Sequence, residues 1–329
     1  MKMQSTLVLL FISSLAAAGC VTPSQQDAGS KAKAVPGYID GKPVRALYVP
    51  LRRGTRANNL AYLERLIAEA KPLGVNSLAL DAQVYNGRTL RLKQESVDYV
   101  KSQGLEVVIR VVCFQGGITR LPVPEKRMHQ LKTLVDEVGQ MGVDEIQLDY
   151  IRFADSGLRY GLTRKHEFIT NIVRELRAIS SKHNTRLSAD IFGRIVYNRK
   201  DGIGQNLELF AEHTDVIYPM LYPSHFTGDK KRLSDPHFTM TEGTTKAITR
   251  LKEAGSKTQI MPFIQVFVYN IQHARVPLWK YVQLQIDAVE NTEARGWMAW
   301  NARGDYAPLF RALNEIENSP AETEPTAAR

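Results

Sequence analysis

The sequence predicts an α/β protein built as a single (β/α)8 TIM-barrel domain. Short β-rich runs alternate about eight times with amphipathic helical stretches, and this alternation implies parallel strands joined by right-handed crossovers. The pattern occupies roughly 280 residues, which is the usual size of such a barrel. A doubly wound open sheet is the structural alternative. It is disfavoured because residues 50–54, after the first run, lack the glycine-rich phosphate loop typical of that fold.

The predicted strands are runs rich in β-branched and aromatic residues. In order they are Arg45–Leu51, Ser77–Gln83, Glu106–Phe114, Glu145–Ile151, Arg186–Phe192, Asp215–Tyr222, Gln259–Phe267 and Gly296–Asn301. The predicted helices carry apolar residues every three or four positions, which places those residues on one face. They are Leu60–Leu73, Arg127–Met141, Lys165–Lys182, Thr244–Ala254, Tyr281–Asn291 and Pro308–Ile316.

The first 20 residues predict a targeting segment that is removed from the mature protein. Lys2 precedes the apolar run Leu7–Ile12, and small residues lead from there to Cys20. This arrangement resembles a bacterial lipoprotein signal, which implies that Cys20 is lipidated and anchors the protein to a membrane. Val21 follows and resembles the pattern of outer-membrane sorting, which implies a cell-envelope location facing the periplasm or the surface. A plain secretory signal cleaved near Ala18 is the alternative.

Two polar segments flank the predicted barrel domain, which spans residues 44–317. Residues 21–43 are rich in Ser, Gln, Ala, Gly and Pro and predict a flexible tether, whereas residues 318–329 predict a disordered tail. If Cys20 is lipidated, Cys113 is left without a disulfide partner, because the chain has only 2 cysteines. The apolar run around Cys113 predicts a buried, inert thiol.

Composition and motifs narrow the class of activity. The formal net charge of +9 fits attraction to an anionic wall polymer or an acidic glycan. It also fits an ordinary solvated surface, which the lack of a long basic block favours. We expect no nucleic-acid partner. No histidines stand at metal-ligand spacing and no Gly-x-Ser-x-Gly elbow occurs, so we predict neither a catalytic metal nor a cofactor.

Three carboxylates are predicted at the C-terminal ends of the strands, the rim where barrel enzymes have their active sites. Asp81, Asp149 and Asp190 end the second, fourth and fifth strands. Glycoside hydrolysis needs a carboxylic acid and a carboxylate, and neighbouring strands favour the closer separation, about 5–5.5 Å, of retaining enzymes. A guanidinium from Arg110 or Arg152 would keep Asp149 ionised, as a nucleophile requires. Asp190 is then the predicted acid. A purely structural ion pair at Asp149 is the alternative.

Aromatic, amide and charged side chains at the same rim predict a carbohydrate cleft, because rings stack on sugars and amides bind sugar hydroxyls. The predicted substrate-binding residues are Asp81, Arg110, Arg152, Tyr222, His225, Gln265, Trp297, Trp300 and Asn301. For each tryptophan, core packing is the alternative. Asp144, Glu145 and Asp215 stand at the starts of strands, the rim that usually serves stability, and we predict structural roles for them.

Four segments together resemble a bacterial domain family of glycosyl hydrolases whose function is largely inferred. They are Asp144–Phe153, Ser188–Gly193, Tyr218–His225 and Gly296–Asn301. The resemblance covers about Val44 to Leu313, and it implies a TIM-barrel fold and glycoside hydrolase activity.

The fourth strand is also similar, more weakly, to that of family 18 chitinases, which carries the motif DxxDxDxE. Asp144 and Asp149 match two of its acids. Gln147 replaces the middle Asp, and Ile151 stands where the catalytic Glu is expected. The similarity therefore does not imply the substrate-assisted chitinase mechanism, and the acid must come from another strand.

The sequence thus predicts an envelope-located glycoside hydrolase that cleaves a poly- or oligosaccharide, with Asp149 as nucleophile and Asp190 as acid and base. A non-catalytic glycan-binding lipoprotein on the same barrel is the alternative, since Ile151 replaces an acid and no Glu ends a strand. An envelope scaffold that binds another protein is a third possibility.

Overall fold

A curled sheet of nine parallel strands forms the centre of the fold. The computed structural model describes residues 39, 41–51, 56–84, 87–155 and 160–318. The strands are β1 (Val44–Val49), β2 (Ser77–Asp81), β3 (Glu106–Val112), β4 (Glu145–Asp149), β5 (Arg186–Phe192), β6 (Val216–Met220), β7 (Gln259–Ile260), β8 (Phe263–Gln265) and β9 (Gly296–Trp300). Their order in the sheet is β7-β6-β5-β4-β3-β2-β1-β9-β8.

The seventh predicted strand is split in two, and the split closes the barrel. Its first half, β7, pairs with β6, and its second half, β8, pairs with β9. Between the halves, the Met261 N–H donates to the Ile217 carbonyl at 3.0 Å, and the Pro262 carbonyl accepts from the Met298 N–H at 3.1 Å. Proline has no N–H for a ladder, so the segment changes partners there. Both edges of the sheet thus belong to one segment, and the predicted single-domain (β/α)8 arrangement is confirmed.

Helices cover the outside of the sheet. They are α1 (Leu60–Ala70), α2 (Gln94–Ser102), α3 (Glu125–Gln140), α4 (Leu162–Lys182), α5 (Leu207–Ala211), α6 (Lys230–Ser234), α7 (Pro236–Glu253), α8 (Leu278–Glu290) and α9 (Ala307–Glu317). The sequence patterns did not predict α2, α5 or α6. The last two are only one turn long, and α2 buries just Ser96, Val97 and Val100, which is too few apolar residues for a clear helical pattern.

Alternating residues along each strand enter two separate cores, because successive side chains of a strand point to opposite faces. The outer core lies between the strands and the helices and contains, for example, Leu78, Ile109 and Leu148. The inner core fills the barrel and consists of Val44, Ala46, Ala79, Val108, Val216, Tyr218, Tyr222, Met261, Phe263 and Met298. A barrel filled in this way leaves polar chemistry only at its two ends.

Carboxylates and an amide fasten the N-terminal ends of the strands. The Asp144 side chain accepts the Val107 N–H at 2.8 Å, and the Asp215 side chain accepts the Leu187 N–H at 2.8 Å. The Asn76 side chain accepts the Arg45 N–H, near the start of β1, at 2.9 Å. Because these groups satisfy backbone donors that the sheet leaves free, Asp144 and Asp215 have the structural role predicted for them.

A cluster of ion pairs seals the barrel at this same end. The Glu106 carboxylate binds the guanidinium groups of Arg186 and Arg295. The fully buried Glu145 pairs with Arg186 at 3.2 Å and accepts the Tyr218 hydroxyl at 2.7 Å. Two carboxylates and two guanidinium groups thus balance each other, as buried charges require, and the structural role predicted for Glu145 is confirmed.

Two sequence predictions concern cysteines and the ends of the chain. Cys113 is fully buried, and burial raises the pKa of its thiol, which fits the predicted inert residue. Cys20, the signal segment, nearly all of the tether and residues 319–329 of the tail lie outside the described residues. None of the described helices is long and apolar enough to cross a membrane.

The ion cluster yields a stability prediction. Glu106→Gln should lower the free energy of unfolding by about 3–5 kcal/mol, because the buried Arg295 guanidinium would lose its carboxylate. Glu293→Gln, which removes an exposed pair with Lys252, should change it by less than about 1 kcal/mol. Urea denaturation of both variants measures the difference, and equal effects would contradict the proposed role of the cluster.

Candidate functional site

A cavity of about 190 Å³ opens at the C-terminal ends of the strands. Its lining consists of Arg110, Asp149, Tyr150, Arg152, Asp190, Phe192, Gln205, Met220, Tyr222, Phe263 and Trp300. Both carboxylates predicted to be catalytic therefore face one space, together with four of the predicted binding residues: Arg110, Arg152, Tyr222 and Trp300. This is the end of the barrel where such folds place their active sites.

Arg110 connects two of the rim carboxylates. Its Nη1 donates to Asp81 Oδ1 at 2.6 Å, while its Nε and Nη2 donate to Asp149 Oδ2 at 2.9 and 2.6 Å. The guanidinium also lies 5.1 Å from the centre of the Trp300 ring and 5.4 Å from that of Tyr48. Burial favours the neutral form, but the charges of Asp149 and Asp81 outweigh it and raise the pKa of Arg110.

Asp149 is held on both of its oxygens. Its Oδ1 accepts the N–H of Tyr150 at 2.6 Å, and its Oδ2 takes the two N–H groups of Arg110. Tyr150 has a φ of 53°, a left-handed conformation that costs a non-glycine residue about 1–2 kcal/mol. The strained turn bends the chain directly after β4, at the residue whose N–H binds the carboxylate.

Asp190 is the more deeply buried carboxyl of the pair, with 1% of its surface exposed. Its Oδ1 accepts an N–H from Gln147 Nε2 at 2.9 Å. Burial, followed by the nearby negative charge of Asp149, raises the pKa of Asp190 well above its ordinary value. Asp190 therefore keeps its proton to a higher pH than a solvated carboxyl does.

The two carboxyl groups thus differ in their surroundings, although they end neighbouring strands. Asp149 has a guanidinium as direct partner, whereas Asp190 has only the neutral amide of Gln147. Two titratable groups whose environments separate their charge states form the usual arrangement of an acid and a base in one site. The cavity can therefore donate a proton from one side chain and offer an anion from the other.

Aromatic rings form the walls of the cavity. Trp300 stacks on Tyr48 with ring centres 3.9 Å apart, and the edge of Phe263 meets Trp300 at 5.7 Å. Burial, followed by the charge of Asp190, raises the pKa of Tyr222, so its hydroxyl stays protonated and is able to donate. Flat rings beside buried carboxyls suit a sugar, whose ring carbons present apolar faces.

Arg152 and His225 lie at the edges of the site. Arg152 pairs with Asp155 at 3.1 Å, and its guanidinium lies 4.7 Å from the Phe192 ring centre. His225 is exposed outside the cavity lining and contacts the rings of Tyr222 and Tyr269. Partial burial lowers the pKa of His225. Because its ring contacts two aromatic rings, we describe His225 as part of an aromatic edge.

Three predicted binding residues instead hold the protein's own groups. Asp81 accepts hydrogen bonds from Arg110, the Tyr48 hydroxyl and the Leu51 N–H. Gln265 donates to the carbonyls of two residues that follow β8, at 3.0 and 3.1 Å. Asn301 donates to the Val266 carbonyl at 2.6 Å. None of the three belongs to the lining of the cavity, and their contact with substrate stays a prediction.

Trp297, also predicted to bind substrate, lies away from the cavity. It is fully buried, and its Nε1 donates to Glu290 of α8 at 2.8 Å. Trp297 and Trp300 are three residues apart, so they face opposite sides of β9. Trp297 therefore packs between sheet and helices, the alternative considered for it, and only Trp300 reaches the cavity.

Several lining residues were absent from the predicted binding set. Phe263 points inward by the same alternation that positions the carboxylates, so the strand pattern could have identified it. Phe192 ends β5 two residues after Asp190, so the same alternation places it on the Asp190 side of that strand, whereas Gln205 has no comparable signal because a loop brings it in. Gln205 accepts the Phe192 N–H at 2.9 Å and donates to the Asp190 carbonyl at 3.0 Å, which fixes the backbone around Asp190.

Among the residues that the structure describes, no group of three or more His, Cys, Asp or Glu side chains is placed to hold a metal ion.

Comparison with protein families gives one match. The family model described as "Putative glycosyl hydrolase domain" matches residues 124–306, which is more than half of the chain. The matched segment runs from the start of α3 to the loop after β9 and contains Asp149, Asp190 and Trp300. No curated protein matches the sequence significantly.

Solved structures share the fold at low sequence identity. The glycoside hydrolase domain of PgaB (BpsB) from Bordetella bronchiseptica superposes with a TM-score of 0.61 at 10% identity, over 83% of this chain and 98% of that one. A glycoside hydrolase family 18 N-acetylglucosaminidase from Paenibacillus barengoltzii gives 0.57 at 15%, over 83% and 99%. The spore cortex-lytic enzyme SleL from Bacillus cereus gives 0.56 at 12%, over 84% and 75%.

The raised pKa of Asp190 predicts a stability that depends on pH. In the unfolded chain an Asp titrates near pH 4, so above that pH the folded protein binds a proton that the unfolded chain has lost. This contribution weakens folding by up to about 1.4 kcal/mol per pH unit, until the pH reaches the raised pKa. Asp190→Asn lacks this slope, and we expect it to gain stability over wild type as pH rises from about 4 toward neutrality.

Denaturation of wild type and Asp190→Asn at several pH values measures this difference. Asp98→Asn, at an exposed position of α2, is the matched control and should show a difference that stays flat with pH. A flat difference for Asp190→Asn as well would show that Asp190 titrates as an ordinary carboxyl.

Proposed function

The chain belongs to the glycosyl hydrolase domain family that matches residues 124–306, and from this premise we propose that it hydrolyses a glycosidic bond of a poly- or oligosaccharide with Asp149 and Asp190. The observation that carries the proposal is the pair itself. A carboxyl with a raised pKa and a carboxylate paired with a guanidinium line one cavity. Glycoside hydrolysis uses such a pair.

In the proposed reaction, the Asp190 carboxyl donates its proton to the glycosidic oxygen, and the leaving sugar departs as an alcohol. The Asp149 carboxylate attacks the anomeric carbon and forms a covalent glycosyl ester. Asp190, now ionised, then accepts a proton from water, whose oxygen attacks the anomeric carbon and releases Asp149. Two displacements at one carbon retain the anomeric configuration, and the neighbouring strands of Asp149 and Asp190 favour this geometry.

Arg110 and the Tyr150 N–H position the proposed nucleophile. Each carboxylate oxygen has two lone pairs. Oδ2 of Asp149 receives two N–H groups, whereas Oδ1 receives one, so Oδ1 keeps a lone pair for the anomeric carbon. Arg110 also stabilises Asp149 as an anion each time the ester breaks, since the departing group is again a carboxylate.

The size of the cavity supports a single buried sugar. Its volume of about 190 Å³ is below the range of about 300–1,000 Å³ typical of pockets for drug-sized ligands. The other sugars of a polymer would lie along the rim. There Val268 is 75% and Tyr269 50% exposed, next to His225, and these side chains offer an apolar surface for a neighbouring ring.

We further propose that the enzyme works in the cell envelope, anchored by a lipid on Cys20. The support comes from the sequence of residues 1–20 and from the likeness to SleL, whose name describes lysis of the spore cortex. An envelope polysaccharide would then be the substrate.

Glycan binding without catalysis is the second candidate. Three N–H groups already bind Asp149, and Ile151 is fully buried where a chitinase carries its acid. An inactive barrel that holds a sugar through its aromatic walls fits these observations.

Activity of two variants separates the candidates. Release of reducing ends from a panel of envelope and extracellular polysaccharides should fall by about 10²–10⁴-fold in Asp190→Asn, the range expected for loss of a general acid, and at least as far in Asp149→Asn. Asp98→Asn should remain active. Turnover that survives in Asp149→Asn would refute the nucleophile assignment.

Glycan binding by wild type with no turnover on any substrate of the panel would favour the binding protein. For an active preparation, proton NMR of the first product formed gives its anomeric configuration. Retention is expected, and inversion would show that Asp149 activates water instead.

A further inference from the structure

A second pocket, of about 530 Å³, lies at the same end of the barrel, beside the loop that follows β3. Among the residues that the structure describes, four cationic and no acidic side chains line it: the cations are Arg88, Arg120, Lys126 and Arg127. We call this space the basic pocket. An enclosed surface with four positive charges creates a potential that attracts anions.

The charges of the basic pocket have no anionic partner within the described part of the chain. The ion pairs of the described residues include none of the four. Arg88, Arg120 and Lys126 are exposed. Most other arginines on strands and loops of this barrel, such as Arg186 and Arg194, are paired with carboxylates.

Arg127 shows most directly that the cations of the basic pocket lack a counter-charge. It donates to the Cys113 carbonyl and lies 5.6 Å from the Phe114 ring centre, but its Nη1 is buried without a hydrogen-bond partner. Burial, together with the nearby charge of Arg88, lowers the pKa of the Arg127 guanidinium. A desolvated cation without a counter-charge is costly, and an anion in the adjoining pocket would offset that cost.

The first turn of α3 adds to the same potential. Pro124 precedes the helix, and no side chain caps its free N–H groups. The N-terminus of a helix carries a partial positive charge and favours anions. The carboxylate of Glu125, in that first turn, offsets part of this charge, so the four cations supply most of the positive potential of the pocket.

The basic pocket shares a wall with the catalytic cavity. Ile118 of the pocket forms a bridge with Phe153, its N–H donates to the Arg152 carbonyl at 2.9 Å, and its carbonyl accepts the Ala154 N–H at 3.0 Å. Arg152 lines the cavity of Asp149 and Asp190. A chain of sugars that enters the cavity can therefore continue over this bridge into the basic pocket.

We propose that the basic pocket is a subsite for an acidic group, a carboxylate, sulfate or phosphate, of a glycan whose neighbouring sugar occupies the catalytic cavity. The inference rests on the proposed function, because it takes the polymer in the cavity to be a glycan. Arginine forks match the planar oxygens of such groups. A concave pocket beside the cavity fits a polymer strand better than a flat lipid surface.

Binding experiments test the substrate class. Isothermal calorimetry would compare three acidic oligosaccharides with neutral counterparts: oligogalacturonate against its methyl ester, a heparin hexasaccharide against its desulfated form, and a mannan oligosaccharide phosphate against the unphosphorylated chain. We expect at least one acidic form to bind ten times more tightly than its neutral counterpart. The affinity of that acidic form should fall as the salt concentration rises.

Variants locate the interaction. Arg120→Gln/Lys126→Gln, at exposed positions where folding is not at risk, should weaken the acidic ligand at least tenfold, and Arg127→Gln should weaken it likewise. Arg65→Gln/Lys257→Gln removes two exposed charges elsewhere and should leave affinity within twofold. Asp190→Asn should lose activity but keep an intact basic pocket, so it should bind the acidic oligosaccharide as wild type does. Failure of the catalytic proposal is therefore distinguishable from failure of the subsite proposal.

The proposal is overturned if no acidic oligosaccharide binds more tightly than its neutral counterpart, or if the control pair weakens binding as much as the pocket variants. Vesicles containing phosphatidylglycerol form a further arm. If they bind in place of the oligosaccharides and Arg120→Gln/Lys126→Gln abolishes that binding, the anion belongs to a lipid surface and the glycan subsite is refuted.

Discussion

Arg110 is a guanidinium inside a barrel, and the arrangement of the carboxyls around it depends on how its charge is compensated. Asp81 and Asp149 each bind it directly at 2.6 Å. Asp190 is the third carboxyl at this end and finds no cation of its own, only the amide of Gln147. Burial and the nearby charge of Asp149 raise the pKa of Asp190, which favours its protonated form. The direct contacts of Arg110 thus distinguish Asp149, which it binds, from Asp190, whose direct partner is an amide.

The opposite end of the barrel shows what a balanced arrangement looks like. There Glu106 and Glu145 face Arg186 and Arg295, and the Tyr218 hydroxyl donates to Glu145 at 2.7 Å. The Tyr48 hydroxyl donates to Asp81 in the same way at 2.7 Å. Similar residue types therefore meet at both ends, but each carboxylate of the N-terminal cluster binds a guanidinium directly, whereas Asp190 at the other end binds an amide. The N-terminal cluster holds strands together, whereas at the C-terminal end burial raises the pKa of Asp190 and makes it the candidate acid.

The barrel and the position of the carboxylates could be predicted from the sequence because both follow from strand periodicity. Strands that alternate with helices place Asp81, Asp149 and Asp190 at one rim, and the structure agrees. Roles that depend on backbone conformation in loops were not predictable in this way. Gln265 and Asn301 looked free to bind sugars, but nearby carbonyls, whose positions no side-chain pattern reveals, already accept from them.

The basic pocket escaped prediction for a related reason: its cations are scattered in sequence and meet only because α3 begins beside the loop after β3. Trp297 is a different case. The two-residue period of a strand places Trp297 on the face opposite Trp300. Its packing in the outer core could therefore have been predicted from the sequence. The targeting segment and the lipid on Cys20 remain predictions, since the described residues do not include them.

The protonation state of Asp190 near neutral pH is the most direct test of this charge arrangement. An infrared difference spectrum between wild type and Asp190→Asn measures it, because a protonated carboxyl and a carboxylate absorb at different frequencies. We expect the wild type to show a protonated-carboxyl C=O stretch that the variant lacks, with no loss of carboxylate bands. Loss of carboxylate bands alone would show that Asp190 is ionised like Asp149, and it would contradict the division of the site into an acid and an anion.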